Sequence, residues 1–153
     1  MKKMTIWGVG PKIMTPSYFL LVVLSLLPIK IGISAILNIP RLYITVAGIF
    51  LICVGIIILA MVNTKINKAL KTNHLVTTGL FSLVRNPMYV AHLFFLIPGV
   101  CLLTDNATTL VSVICGMIAF NILIPVEEKC LEENFGSEYI NYKNRVRRLA
   151  PRF

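Results

Sequence analysis

Residues 42–62 run without a single charged side chain, and that run limits the fold more than any other feature. A helix needs about 20 mostly apolar residues to cross a bilayer, and a soluble chain of 153 residues has little interior in which to hide such a segment. The remainder of the chain compounds the problem. It is 57% hydrophobic and 14% charged, with a mean hydropathy of +0.83, so lipid is expected to solvate much of it. Three further apolar segments are long enough to count. Residues 16–37 are interrupted by Pro28 and Lys30, residues 88–104 stop at the polar turn Asp105-Asn106, and residues 107–126 stop at Glu127. The expected fold class is all-α: a polytopic membrane protein of about four transmembrane helices, forming a single domain over residues 1–153.

Charge orients that bundle. Lys2, Lys3 and Lys12 precede the first span. Lys65, Lys68, Lys71 and Arg85 lie between the second and third, and Lys129, Lys143, Arg145, Arg147, Arg148 and Arg152 follow the fourth. Thirteen of the fifteen basic residues thus fall on one side of an even-numbered topology, which the positive-inside rule assigns to the cytoplasm. Both termini and the 63–87 loop are expected there; in a prokaryote the membrane would be the plasma membrane. The net charge of +9 suits an anionic leaflet, so membrane lipids are expected partners. No motif supports nucleic-acid binding. Lys2-Lys3 before an apolar run imitates a signal peptide, yet the run is long and lacks a cleavage site, so it reads as an uncleaved span.

Cys53, Cys101, Cys115 and Cys130 have neither metal-clip nor disulfide-framework spacing, and no metal site is expected. Small residues at helical spacing mark helix-contact faces in lipid: Ser112, Gly116 and Ala119 in the fourth span, Gly48 and Gly55 in the second. Lys30 reads as a residue snorkelling to the headgroups beside a Pro28 kink. Asn121, two turns before Glu128, is expected to face the same way and is a candidate substrate residue.

The chemistry concentrates on the basic side. Thr77-Thr78-Gly79 is a turn signal, and Pro87 pushes Asn86 out of helical geometry while suiting the first turn of the third span. Glu127 and Glu128 stand where the fourth span ends. The tail from Lys129 alternates apolar and charged positions at helical spacing, with Gly136 as its expected C-cap. Tyr139 and Tyr142 read as interfacial anchors.

Three blocks in order carry a family resemblance: Leu75-Val76-Thr77-Thr78-Gly79 through Arg85-Asn86-Pro87-Met88-Tyr89, then Glu127-Glu128, then Phe135-Gly136-Ser137-Glu138-Tyr139. Together they resemble the isoprenylcysteine and phospholipid methyltransferases, integral membrane enzymes that use S-adenosyl-L-methionine. The resemblance covers roughly residues 73–151. It implies a cofactor site built from segments 73–89 and 127–151, contacted by Asn73, His74, Leu75, Val76, Phe81, Asn86, Pro87, Met88 and Tyr89, with Glu127 holding the cofactor ammonium. Two positions depart from the family pattern: Phe81 stands for a tyrosine and Asn86 for a histidine. Asn86 cannot be a cation, so Arg85 is the expected partner of the cofactor carboxylate. Glu128 is expected to pair with Arg85 or a tail arginine, or to share with His74 the role of base for an amine acceptor.

The acceptor implied is a lipophilic small molecule or lipid entering from the bilayer. Isoprenylcysteine enzymes place an arginine one turn before the cofactor glutamate. Leu123 occupies that position here, which disfavours a carboxylate acceptor and leaves an amine head group, a thiol or another nucleophile open. Two alternatives stand beside the methyltransferase. A sterol-reductase-like NADPH enzyme would need a longer membrane domain. A non-enzymatic four-span protein such as a proton-coupled exporter would need a carboxylate within a span, and every acidic residue here lies at a span end or in the tail.

Overall fold

The computed structural model describes residues 10–28, 30–72 and 74–151, and all regular structure among them is helical. The order is α1 (Gly10–Leu26), α2 (Ile33–Leu37), α3 (Arg41–Thr72), α4 (Leu80–Leu83), α5 (Pro87–Leu103) and α6 (Val111–Arg145). A 3₁₀ turn, Ala107–Leu110, leads into α6. Two helical stretches, Arg41–Ala69 and Ala107–Arg145, are long and apolar enough to cross a membrane. Pro11–Leu26 and Pro87–Leu103 are apolar but shorter.

The expected span over 16–37 therefore needs correction. Its helix begins at Gly10 and stops at Leu26, and a short helix, α2, resumes only at Ile33. Pro28 removes a backbone donor and disfavours helix before itself, so the interruption ends the helix rather than kinking it. The second element also differs: α3 continues to Thr72, because nothing between Asn63 and Thr72 breaks a helix.

Helix α1 packs along α6, and α3 along α5. The core joins Ile13, Met14 and Leu21 of α1 to Tyr89, Leu93, Ile97 and Cys101 of α5 and to Phe120 and Ile124 of α6. Close packing is what holds helices together where lipid is as apolar as their side chains. A Cβ added at Gly48 would lie 2.9 Å from the Gly99 carbonyl oxygen, a backbone atom that cannot move aside. The expected contact faces at Gly48 and Gly116 are thus occupied, Gly116 by Leu93 and Ser17. Large apolar residues of the outer faces, among them Phe50, Ile57, Ile114, Ile118 and Ile122, are exposed, as a bilayer-solvated bundle requires.

At the end formed by the α5–α6 turn, Asp105 accepts from Ser34 N–H (2.8 Å) and Ser34 Oγ (2.6 Å). Asn106 is fully buried. Its Oδ1 accepts from Thr108 N–H (3.2 Å) and Thr108 Oγ1 (2.8 Å), and its Nδ2 donates to Leu24 O. At the opposite end the chain is charged.

Candidate active site

Helix α6 delivers two adjacent carboxylates to the charged end, and a single step round the helix gives them different surroundings. Glu128 is buried. Arg85 Nη2 donates to its Oε1 at 2.6 Å, while Arg148 grips both oxygens, Nε to Oε1 at 2.9 Å and Nη2 to Oε2 at 2.7 Å. Lys143 stands 3.6 Å from Oε2 and 2.7 Å from Glu132. Both residues named as pairing partners in the sequence, Arg85 and a tail arginine, meet Glu128 at once. Burial by itself would raise the Glu128 carboxyl. The Arg148 hydrogen bonds and the charges of Arg85, Arg148 and Lys143 outweigh it and hold the group below the usual carboxylate range.

Glu127 is half-buried. It accepts one hydrogen bond, from Tyr89 Oη at 3.0 Å, and no cation among the described residues lies within ion-pair distance. Burial raises its carboxyl, the Tyr89 hydrogen bond offsets part of the rise, and the neighbouring Glu128 charge adds to it. A carboxylate with open lone pairs and no counter-ion has the capacity to accept further donors.

The tail is tied to the 80–86 segment by backbone as well as charge. Arg85 N–H donates to Arg147 O at 2.8 Å and Asn86 N–H to Arg148 O at 3.0 Å. Tyr142 Oη donates to Phe81 O at 2.7 Å, and Arg85 Nη1 to Lys143 O at 2.8 Å. Gly136 makes this return path. Its φ of 52° and ψ of −127° lie where an L side chain is strained, so the helix breaks there, as expected, and a second helical stretch runs on to Arg145. Tyr139 and Tyr142 are buried and meet edge to face at 6.1 Å. Tyr142 fastens tail to loop, and the burial of both corrects their reading as interfacial anchors. Burial raises the Tyr142 phenol to about 12. Among the described residues one buried polar atom is left over: Arg85 Nε has no hydrogen-bond partner there, a donor suited to an anionic oxygen.

The other expected residues are placed as follows. Pro87 is buried in the first turn of α5, with Asn86 non-helical before it (φ −123°, ψ 59°). Asn86 Nδ2 also points to Arg148 O, at 3.4 Å. Met88 is half-buried, Tyr89 buried, and Leu75, Val76 and Phe81 half-buried, whereas His74 is exposed. Asn73 lies outside the described residues. Leu123 packs against the core. Asn121 is exposed and bonds back to Met117 O of its own helix at 2.9 Å, so it does not join the site. The buried row of α6 is Ser112, Gly116, Phe120, Ile124 and Glu128, a four-residue step that slants across the helix. Two turns above Glu128, the same direction already points away from the neighbouring helices.

Sequence reasoning passed over two residues. Arg148 was one of several tail cations, and nothing in its spacing marked it. His92 had a signal, a lone imidazole within an apolar helix. It lies in a π turn, Ala91–Leu96, with Nδ1 2.6 Å from Tyr18 Oη.

A family profile described as phospholipid methyltransferase matches residues 42–138, from the start of α3 past the paired carboxylates. The chain belongs to that family. It is also similar to the protein-S-isoprenylcysteine O-methyltransferase of Saccharomyces cerevisiae (strain ATCC 204508 / S288c), 38% identical over 72 residues. That match takes in 47% of this chain and 30% of the relative, so the chain spans less than a third of that protein's length. The family profile holds Arg85, Tyr89, Glu127 and Glu128. The clamp residues Tyr139, Tyr142, Lys143 and Arg148 fall outside it.

Proposed function

We propose that this family member is an S-adenosyl-L-methionine-dependent methyltransferase acting on a lipophilic acceptor held in the membrane. One observation carries the reading: of two adjacent carboxylates, Glu128 is saturated by cations, and Glu127 is left half-buried with a single donor and no counter-ion. The amino-acid end of the cofactor fits this pattern. Its ammonium matches Glu127, and its carboxylate matches the unpartnered Nε of Arg85. When bound, the cofactor supplies an electrophilic methyl group on a sulfonium.

The residues of the chain then act by placement. Tyr89 fixes the Glu127 carboxylate through its phenol. Glu128 holds Arg85 and Arg148 so that the loop and tail stay closed together, which is a positioning role; with three cations around it, its carboxylate is a poor proton acceptor. Leu75, Val76, Phe81, Pro87 and Met88 supply apolar walls beside the backbone groups of the 73–89 segment. Excluding water and aligning donor with nucleophile can contribute ~7–11 kcal/mol to such a transfer. In this reading α1, α3, α5 and α6 are four spans, the charged end faces the cytoplasm, the polar cofactor arrives from water, and the acceptor arrives laterally from the bilayer. The acidic residues, all outside the apolar segments of the sequence, and the family membership speak against an exporter, and the family membership against an NADPH reductase.

The test is transfer of label from methyl-tritiated S-adenosylmethionine to solvent-extractable lipid by the purified protein in native-lipid nanodiscs. Label in the lipid fraction, lost in Glu127→Ala, is expected. A folded protein that transfers no label yet oxidises NADPH would replace this reading with the reductase.

A further inference from the structure

Methyl transfer to a nucleophile that carries a proton needs a group to take that proton, and neither base suggested by the sequence serves. Glu128 is committed to three cations, and His74 is exposed. The remaining histidine, His92, is held as a base would be. Its Nδ1 meets Tyr18 Oη of α1 at 2.6 Å, and the two rings stand edge to face at 5.6 Å and 87°. Its Nε2 has no hydrogen-bond partner among the described residues. Tyr18 Oη can donate to or accept from Nδ1, and the tautomer in which Nδ1–H donates to it leaves Nε2 free for chemistry.

The position is also apt. His92 is the second residue of the π turn Ala91–Leu96, a local widening that recurs at functional sites. It follows Tyr89, the residue bound to Glu127, by three positions on the same helix. That places it roughly one turn, ~5 Å, further along α5 from the charged end. Tyr18 lies outside the family-matched range, and His92 within it. Leu123 packs into the core, and no basic residue lies between Ala107 and Val126 to clamp an acceptor carboxylate.

We propose that His92 Nε2 takes the proton from the methyl acceptor, and that the acceptor is a lipophilic thiol or amine rather than a carboxylate, which would have no proton to give up. The inference rests on the methyltransferase reading. For a thiol, the S–H proton passes to Nε2, a sulfur–methyl bond forms, and the methyl–sulfonium bond breaks to leave a neutral thioether. The products are the methyl thioether and an imidazolium, conserving the single positive charge. For an alkylammonium, the proton passes to Nε2 first and the freed amine lone pair forms the new bond. Tyr18 is a positioning residue: in the tautomer required here its Oη accepts from Nδ1–H, which keeps Nε2 bare.

The experiment compares wild type with His92→Gln and Tyr18→Phe on paired acceptors carrying the same long chain. An alkyl thiol and an alkylammonium must lose a proton before attack, whereas an ionised aryl thiolate and a neutral aryl amine present a lone pair already. S-adenosylmethionine affinity is measured alongside by calorimetry. Expected is cofactor affinity within about threefold of wild type for both variants. His92→Gln should lose about 10²–10⁴-fold on the alkyl acceptors and under about tenfold on the aryl ones. Tyr18→Phe, which keeps the ring packing, should show the same alkyl-over-aryl bias more weakly. Equal losses on both members of each pair mean a structural role and overturn the proposal. So does a wild type that binds the cofactor but methylates only a long-chain carboxylate, or none of the four acceptors. A wild type that fails to bind the cofactor overturns the methyltransferase reading itself.

Discussion

The two ends of this bundle use the same kinds of buried polar groups to different effect. At the α5–α6 turn, Asp105 and Asn106 are met by Ser34, Thr108, the Leu24 carbonyl of α1 and the Ile31 N–H of the α1–α2 connection. The buried polar groups there are paired by neutral donors and acceptors from nearby segments. At the charged end, Glu128 is equally well met, but by three cations drawn from two distant segments. Beside it stand Glu127 without a counter-ion and Arg85 with an orphan donor. A closed network adds rigidity and has nothing left to bind with; an open one keeps the directional capacity a ligand can use.

That contrast can be broken most forcefully at Glu128. Replacing it with alanine strands the guanidinium of Arg85, whose side chain is only 8% exposed, and removing one partner of a buried pair costs about 3–5 kcal/mol. Unfolding in detergent should show that loss, together with protease cleavage between Gly136 and Leu149 as the tail detaches. The opposite end should respond less. Asn106→Ala leaves the groups it serves unpaired, for a loss of about 1–3 kcal/mol, and cofactor affinity by calorimetry should stay at the wild-type value. Tyr142→Phe removes the single hydrogen bond to Phe81 O and should cost about 0.5–1.5 kcal/mol in the same unfolding assay.

Acid separates the two carboxylates. Glu128 is held below its ordinary value, so its stabilisation is complete above the unfolded-state value of about 4.3 and fades only as pH falls through the depressed folded one. Glu127 is held above its ordinary value, so it loses its charge first. On acidification, cofactor affinity should therefore weaken while the melting temperature is still near its neutral-pH value. Simultaneous loss of both would mean that the two groups are not differently set.

Helix identity was legible in the sequence because apolar runs and Pro87 speak for themselves; of the segments 73–89 and 127–151 that the resemblance singled out, the structure joins Phe81–Asn86 to Tyr142–Arg148. Glu128 meeting Arg85 was expected from one helical step past Glu127. The failures share a cause: they turned on where the neighbouring helix lies. Asn121 has the right angle for Glu128 but falls off the buried row, which slants by four-residue steps from Ser112 to Glu128, and the slant is set by packing against a neighbouring helix. Tyr139 and Tyr142 read as surface anchors because nothing local reveals that Gly136 turns the chain back. His92 was passed over because its partner, Tyr18, is 74 residues away.

The central claim is that Glu127, and not its neighbour or the far-end network, receives the cofactor. Its most direct test is calorimetric titration of S-adenosylmethionine into wild type, Glu127→Gln and Asn106→Ala, each shown to be folded. The account predicts binding to wild type and Asn106→Ala and its loss in Glu127→Gln. Equal binding by Glu127→Gln would contradict it.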